Sequence, residues 1–216
     1  MNSVRTLAVV VLAACVALVA LSLLDLLVPA AVAKLVASSA FVGVAIVSGA
    51  WQTTFGRLLL LGLLLSWCGD MFLVGSSDTA FLSGLVAFLL AHVAYIAAFS
   101  VHGINRRWLL LASLPVIGLA VVVAHWLDPH VAPYLAIPVR AYIVVISIMV
   151  VMAFGTRGAG GSTLILGGAL LFFVSDLSVA AWRLVQTDFP TYVWGLPFYY
   201  CGQLCLALSV SQSRSH

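Results

Sequence analysis

Residues 59–75 read LLLGLLLSWCGDMFLVG, and residues 164–182 read LILGGALLFFVSDLSVAAW. Each run is close to the length that crosses a bilayer as a helix, about 20 residues. Each also holds one carboxylate, Asp70 and Asp176. An aspartate at membrane depth costs about 2.5 to 3.5 kcal/mol on insertion scales. A chain that keeps two such residues must offset that cost by pairing or hydrogen bonding, and the usual reason is function. The two aspartates are therefore the first candidates for chemistry.

The surrounding composition agrees with the two runs. Of 216 residues, 64% are hydrophobic and only 7% are charged, against about 25% charged in a soluble domain. Mean hydropathy is +1.24. Apolar runs recur along the chain, separated by short connections such as SSDT, HGINRR, DPHVAP, GTRGAGG and QTDFP, which carry helix-ending residues. The reading is an all-α membrane protein, a single integral domain of eight transmembrane helices. The spans fall at roughly 4–28, 32–49, 57–75, 79–99, 108–127, 134–154, 162–184 and 192–211. The first run is longer than the apolar core of a signal peptide, so it is expected to be retained as a helix. Its boundary with the second is weak, marked by Pro29 alone.

An even number of spans places both termini on one side. Arg5, Arg57, Arg106, Arg107, Arg157 and Arg214 fall on that side, and Lys34 and Arg183 on the other with Asp78, Asp128 and Asp188. By the positive-inside rule both termini are expected in the cytoplasm of a cell, a bacterial plasma membrane being the natural setting. Asp70 and Asp176 then lie about 8 and 12 Å in from the outer ends of their helices. Asp25, Lys34 and Arg140 share that outer half.

An offset of 106 residues carries Lys34 onto Arg140, Gly62 onto Gly168 and Asp70 onto Asp176. Helices one to four would then match helices five to eight as a parallel 4+4 repeat about an axis along the membrane normal.

Other signals point away from metals and nucleic acid. The net charge of +3 is spread over loop ends. Cys15, Cys68, Cys201 and Cys205 lie inside apolar runs and read as small buried hydrophobes. HExxH, GxSxG and Gly-rich phosphate loops are absent. His92 stands alone near mid-membrane, and His102, His125 and His130 do not cluster with it. No metal and no cofactor are expected.

GDMFLV at 69–74, followed by FLSGLVAFLLAHVAYIAAF at 81–99, resembles the YhhN family of membrane proteins, the lysoplasmalogenases. The similarity continues through IPVRAYIVVISIMVV at 137–151, GGALLFFVSDLSVAAWRL at 167–184 and FYYCGQLCLALS at 198–209. One departure is Leu35, where the family tends to place Pro after the lysine. The resemblance implies hydrolysis of the vinyl-ether bond of a lysophospholipid, giving a fatty aldehyde and a glycerophospho-alcohol. It also implies that the Gly-Asp and Ser-Asp aspartates, Asp70 and Asp176, are the catalytic pair.

That chemistry suits two carboxyls. Vinyl ethers hydrolyse by protonation at carbon, giving an oxocarbenium ion that water captures. One carboxyl can deliver the proton while the other orients water and faces the cation. Lys34 and Arg140 would hold one aspartate ionised or receive the substrate phosphate. His92, Tyr199, Tyr200 and Gln203 are candidates for lining the substrate cavity; His92 could alternatively serve a helix–helix hydrogen bond, and Tyr199 an interfacial belt. Gly69 and Ser175 read as packing positions, and Arg183 as a snorkelling anchor or a phosphate ligand. Two competing readings stay open: structural Lys/Arg–Asp pairs that pin helices, and a proton-coupled transporter using the same buried charges. Membrane lipids and a lysophospholipid substrate are the expected partners; oligomeric state is not legible.

Overall fold

Eight apolar helices follow one another without a strand among the described residues, 2–212, of this computed structural model. They are α1 (Asn2–Leu23), α2 (Leu27–Val47), α3 (Thr54–Phe72), α4 (Asp78–His102), α5 (Arg106–Leu127), α6 (Ala136–Gly158), α7 (Thr163–Ala180) and α8 (Tyr192–Gln212). All eight are long and apolar enough to cross a membrane. α7 runs on into one π-helical turn, Ala181–Val185, which ends at Gln186 in the left-handed region. Arg214, counted in the charge bias, lies outside the described residues.

Local chemistry explains the helix starts. The Thr53 hydroxyl accepts from the Gly56 N–H at the start of α3, and Ser77 accepts from Ala80 at the start of α4. Asn105 accepts from Arg107 and Trp108, and Ser162 accepts from Leu164. Each satisfies a donor that the first helical turn leaves without an intrahelical partner.

The first boundary is corrected. The chain breaks at Asp25, not at Pro29: α1 ends at Leu23, and Asp25 takes a left-handed φ of 56°. Aspartate tolerates that conformation better than the leucines around it. Pro29 falls in the first turn of α2, where its missing N–H would have had no intrahelical partner.

The depth of Asp70 is corrected as well. α3 ends at Phe72, so Asp70 sits in its last turn rather than five residues inside. Asp70 nevertheless bonds to Ser38, eleven residues and about 16 Å along α2 from the α2 start. The end of α3 therefore stops well below the start of α2 and delivers its carboxylate into the bundle.

Neighbouring helices largely recur with an offset of four. α1 packs on α2 and α5 on α6, α3 on α4 and α7 on α8, α2 on α3 and α6 on α7; α4 meets α6 as α8 meets α2. Contacts of α1 and α3 with α8 have no comparably extensive counterpart in the other half. α7 and α8 cross closely because Gly168 and Gly202 face each other there: a Cβ on Gly168 would lie 2.9 Å from the Gly202 carbonyl oxygen. Close backbone approach at small residues is how helices associate when lipid removes the hydrophobic drive between them.

Candidate active site

A cavity of about 460 Å³ opens between the helices, and both Asp70 and Asp176 line it. Its walls are mostly apolar, with Leu85, Phe88, Ile146 and Phe173 among them.

Asp70 is held from two other helices. Its side chain belongs to a residue only 3% exposed. Ser38 of α2 donates to Oδ2 at 2.6 Å, and Tyr199 of α8 donates to the same oxygen at 2.8 Å. Oδ1 receives no hydrogen bond among the described residues, so one oxygen is anchored and the other is left for the cavity. Lys34 lies one helical turn before Ser38, on the same face of α2, and lines the cavity. It acts on Asp70 through space without forming an ion pair within 4 Å.

Asp176 of α7 accepts from Tyr142 of α6 at 2.7 Å, again through Oδ2. Its side chain keeps 18% exposure. His92 of α4 is fully buried, with Nε2 3.9 Å from the same oxygen, beyond direct hydrogen-bond range. The expectation that His92 lines the cavity is corrected: it stands behind the wall, beside Asp176. Its ring packs on Phe172 at 4.6 Å and edge-on to Tyr142 at 5.2 Å between centroids, which fixes the phenol that bonds Asp176.

The remaining candidates divide between wall, second layer and elsewhere. Tyr199 reaches the cavity wall and is wedged edge-on against Phe88 and Phe172. Tyr200 is fully buried one layer behind, its hydroxyl 3.2 Å from that of Ser38. Gln203 is also fully buried and accepts from the Tyr95 hydroxyl at 2.9 Å, which in turn lies 3.2 Å from Ser66. Neither Tyr200 nor Gln203 touches the cavity, so both buttress the wall instead of forming it. Gly69 packs as expected: a Cβ there would meet the Phe88 ring at 2.7 Å.

Arg140 is a correction. Its guanidinium pairs with Asp128 at 2.7 Å on the surface, both side chains more than half exposed, and it does not line the cavity. Helical geometry gives the reason. Arg140 and Tyr142 are two residues apart, about 200° around α6, and Tyr142 is the one that faces Asp176.

Sequence reasoning missed Ser38 and Tyr142, the hydroxyls that hold the two carboxylates. A signal existed. Ser38 shares the face of Lys34, one helical turn on. A lone serine and a lone tyrosine in apolar helices carry no spacing motif, however, and only the tertiary pairing singles them out.

Comparison with known proteins supplies the context. The chain is 35% identical over 155 residues to lysoplasmalogenase TMEM86B of Sus scrofa, covering 70% of this chain and 62% of that protein. It is 30% identical over 170 residues to lysoplasmalogenase TMEM86A of Bos taurus, covering 72% and 66%. The human lysoplasmalogenase TMEM86B is 31% identical over 163 residues, covering 74% and 66%. The chain thus spans just under two thirds of the length of these curated relatives. No solved structure is significantly similar to it. The YhhN family model matches residues 4–210, essentially the whole eight-helix bundle, and the chain belongs to the YhhN family.

Proposed function

We propose that this protein hydrolyses the vinyl-ether bond of a lysophospholipid, with Asp70 and Asp176 as its acid/base pair. One observation carries the reading. In a chain of this family, two carboxyls from separate helices line one largely apolar cavity, each with one oxygen tied back by hydroxyl donors. An apolar wall suits an alkenyl chain, and the exposed oxygens suit its polar end.

The partners divide the roles. Asp70 takes two hydroxyl donors and has the Lys34 ammonium nearby, an environment that favours an anion. Asp176 takes one donor, and no lysine or arginine acts on it as Lys34 acts on Asp70. Asp176 is therefore assigned as proton donor and Asp70 as base. The Asp176 proton is transferred to C2′ of the vinyl ether while the oxygen lone pair forms the oxocarbenium ion at C1′. Asp70 takes a proton from water as its oxygen bonds to C1′. The hemiacetal hydroxyl proton then passes to Asp176 as the C1′–O bond to glycerol breaks and Asp70 protonates the departing glycerol oxygen. Aldehyde and glycerophospho-alcohol leave, one water is consumed, and both carboxyls return to their starting states. A negative Asp70 facing the developing cation stabilises it most where water is excluded.

Purified protein in detergent, given a lysoplasmenyl-choline, is expected to release free aldehyde. Asp70→Asn and Asp176→Asn should each lower that rate by about 10²- to 10⁴-fold, the usual contribution of a positioned acid or base, with helicity unchanged. Substantial aldehyde release by both variants overturns the assignment.

A further inference from the structure

The mouth of the cavity carries a second set of charges that the hydrolytic scheme does not use. Arg183 lines it from the π-helical turn after α7, and Asp25 lines it from the left-handed turn between α1 and α2. Neither forms an ion pair within 4 Å among the described residues, with each other or with any other group. The other exposed pair of this protein behaves differently: Arg140 and Asp128 satisfy each other directly. Two opposite charges that share one opening but do not close on each other present complementary charge to a ligand bearing both signs.

The rest of the mouth fits the same description. The Arg183 guanidinium rests over the Phe81 ring, 5.0 Å from its centroid, so its position is held without neutralising its charge. Trp182 and Tyr192 line the opening as a perpendicular ring pair, 5.4 Å apart. The Tyr192 hydroxyl donates to the carbonyl of Ser22, three residues before Asp25, which brings that ring to the α1 end of the mouth. Aromatic faces beside a carboxylate are the chemistry that receives an ammonium, including a quaternary one, and a guanidinium is the chemistry that receives a phosphate.

We infer that the cavity mouth is a zwitterionic headgroup site, with Arg183 holding the phosphate and Asp25, Trp182 and Tyr192 receiving the ammonium. The inference deepens the lysolipid reading above and rests on it for the identity of the ligand. Spacing agrees with it. Arg183 is seven residues from Asp176, about 10 Å along the helix, and both side chains line the cavity. In a lysoplasmalogen seven bonds separate phosphorus from C2′, about 8 Å when extended. A phosphate on Arg183 therefore places the vinyl ether at the level of Asp176. The π turn contributes here, because it re-aims the last side chains of α7 relative to a regular helix.

The test uses saturated ether lipids, which bind but have no vinyl ether to hydrolyse. Binding of 1-alkyl-lysophosphocholine, 1-alkyl-lysophosphatidate and 1-alkylglycerol is measured on the purified full chain. Wild type should bind the phosphocholine tightest. Arg183→Gln should weaken both phosphate lipids by about tenfold or more and leave alkylglycerol unchanged. Asp25→Asn should weaken only the phosphocholine. Equal binding of all three lipids by wild type, or an unaltered preference in both variants, overturns the proposal. If Arg183→Gln loses alkylglycerol too, Arg183→Lys decides: retained preference for the phosphate lipids supports the site, and lost preference overturns it. Wild type that discriminates among these lipids yet releases no aldehyde from a lysoplasmenyl lipid sinks the hydrolytic reading and leaves the headgroup site standing.

Discussion

Tyr142 and Arg140 make opposite predictions from positions two residues apart. Tyr142→Phe removes the hydroxyl that ties down Asp176 while keeping the ring that packs on His92. Aldehyde release should fall by about 10- to 100-fold, the rate equivalent of losing a hydrogen bond to the charge that develops on Asp176 as its proton leaves, about 1.5–3 kcal/mol. Arg140→Ala removes a cation that sequence alone would place at the site. Its partner Asp128 is surface-exposed, so the same assay should show an unchanged rate, and Tm should hardly move. A large loss with Arg140→Ala and none with Tyr142→Phe would invert the geometry described. Aspartates at membrane depth were legible without coordinates because a lone charge in lipid demands an explanation. Their hydroxyl donors were not, because serine and tyrosine are inexpensive in such helices and stand out only once paired.

At the scale of helices, the 106-residue offset relates the two aspartates but not the side chains that hold them. Counting 106 on from Ser38 reaches Val144, and 106 back from Tyr142 reaches Val36. Each half has thus found its own donor for an equivalent carboxylate, and we propose that the matching neighbour pairs of the two halves record an internal duplication. Superposition of residues 2–102 on residues 106–212 checks this: it should align α1–α4 with α5–α8 and bring Asp70 onto Asp176. The crossing of α7 on α8 is where packing is least forgiving. A Cβ on Gly168 would sit 2.7 Å from Leu206 Cγ and 2.9 Å from the Gly202 carbonyl oxygen. Gly168→Val should therefore lower stability in detergent by about 1–3 kcal/mol, read as a drop in Tm. An unshifted Tm would mean that α7 and α8 can separate at no cost. Helix number and order were readable from apolar run length. Helix ends were not, because the end of α3 is set by its neighbours and its own sequence continues apolar through Val74.

For the whole molecule, the carboxylates that line the cavity are backed by a layer of buried side chains. His92, Tyr95, Phe172, Tyr200 and Gln203 are all fully buried and pack against one another or against the residues that hold the carboxylates. Close packing behind two acids at depth is expected to deny protons a through-route. Vesicles reconstituted with this protein should accordingly hold an imposed pH difference as long as protein-free vesicles do, monitored with a trapped pH-sensitive dye. Rapid collapse of the gradient would show that water threads that layer. Such a seal would let a membrane carry many copies of an acid-bearing protein without short-circuiting the ion gradients on which a cell runs.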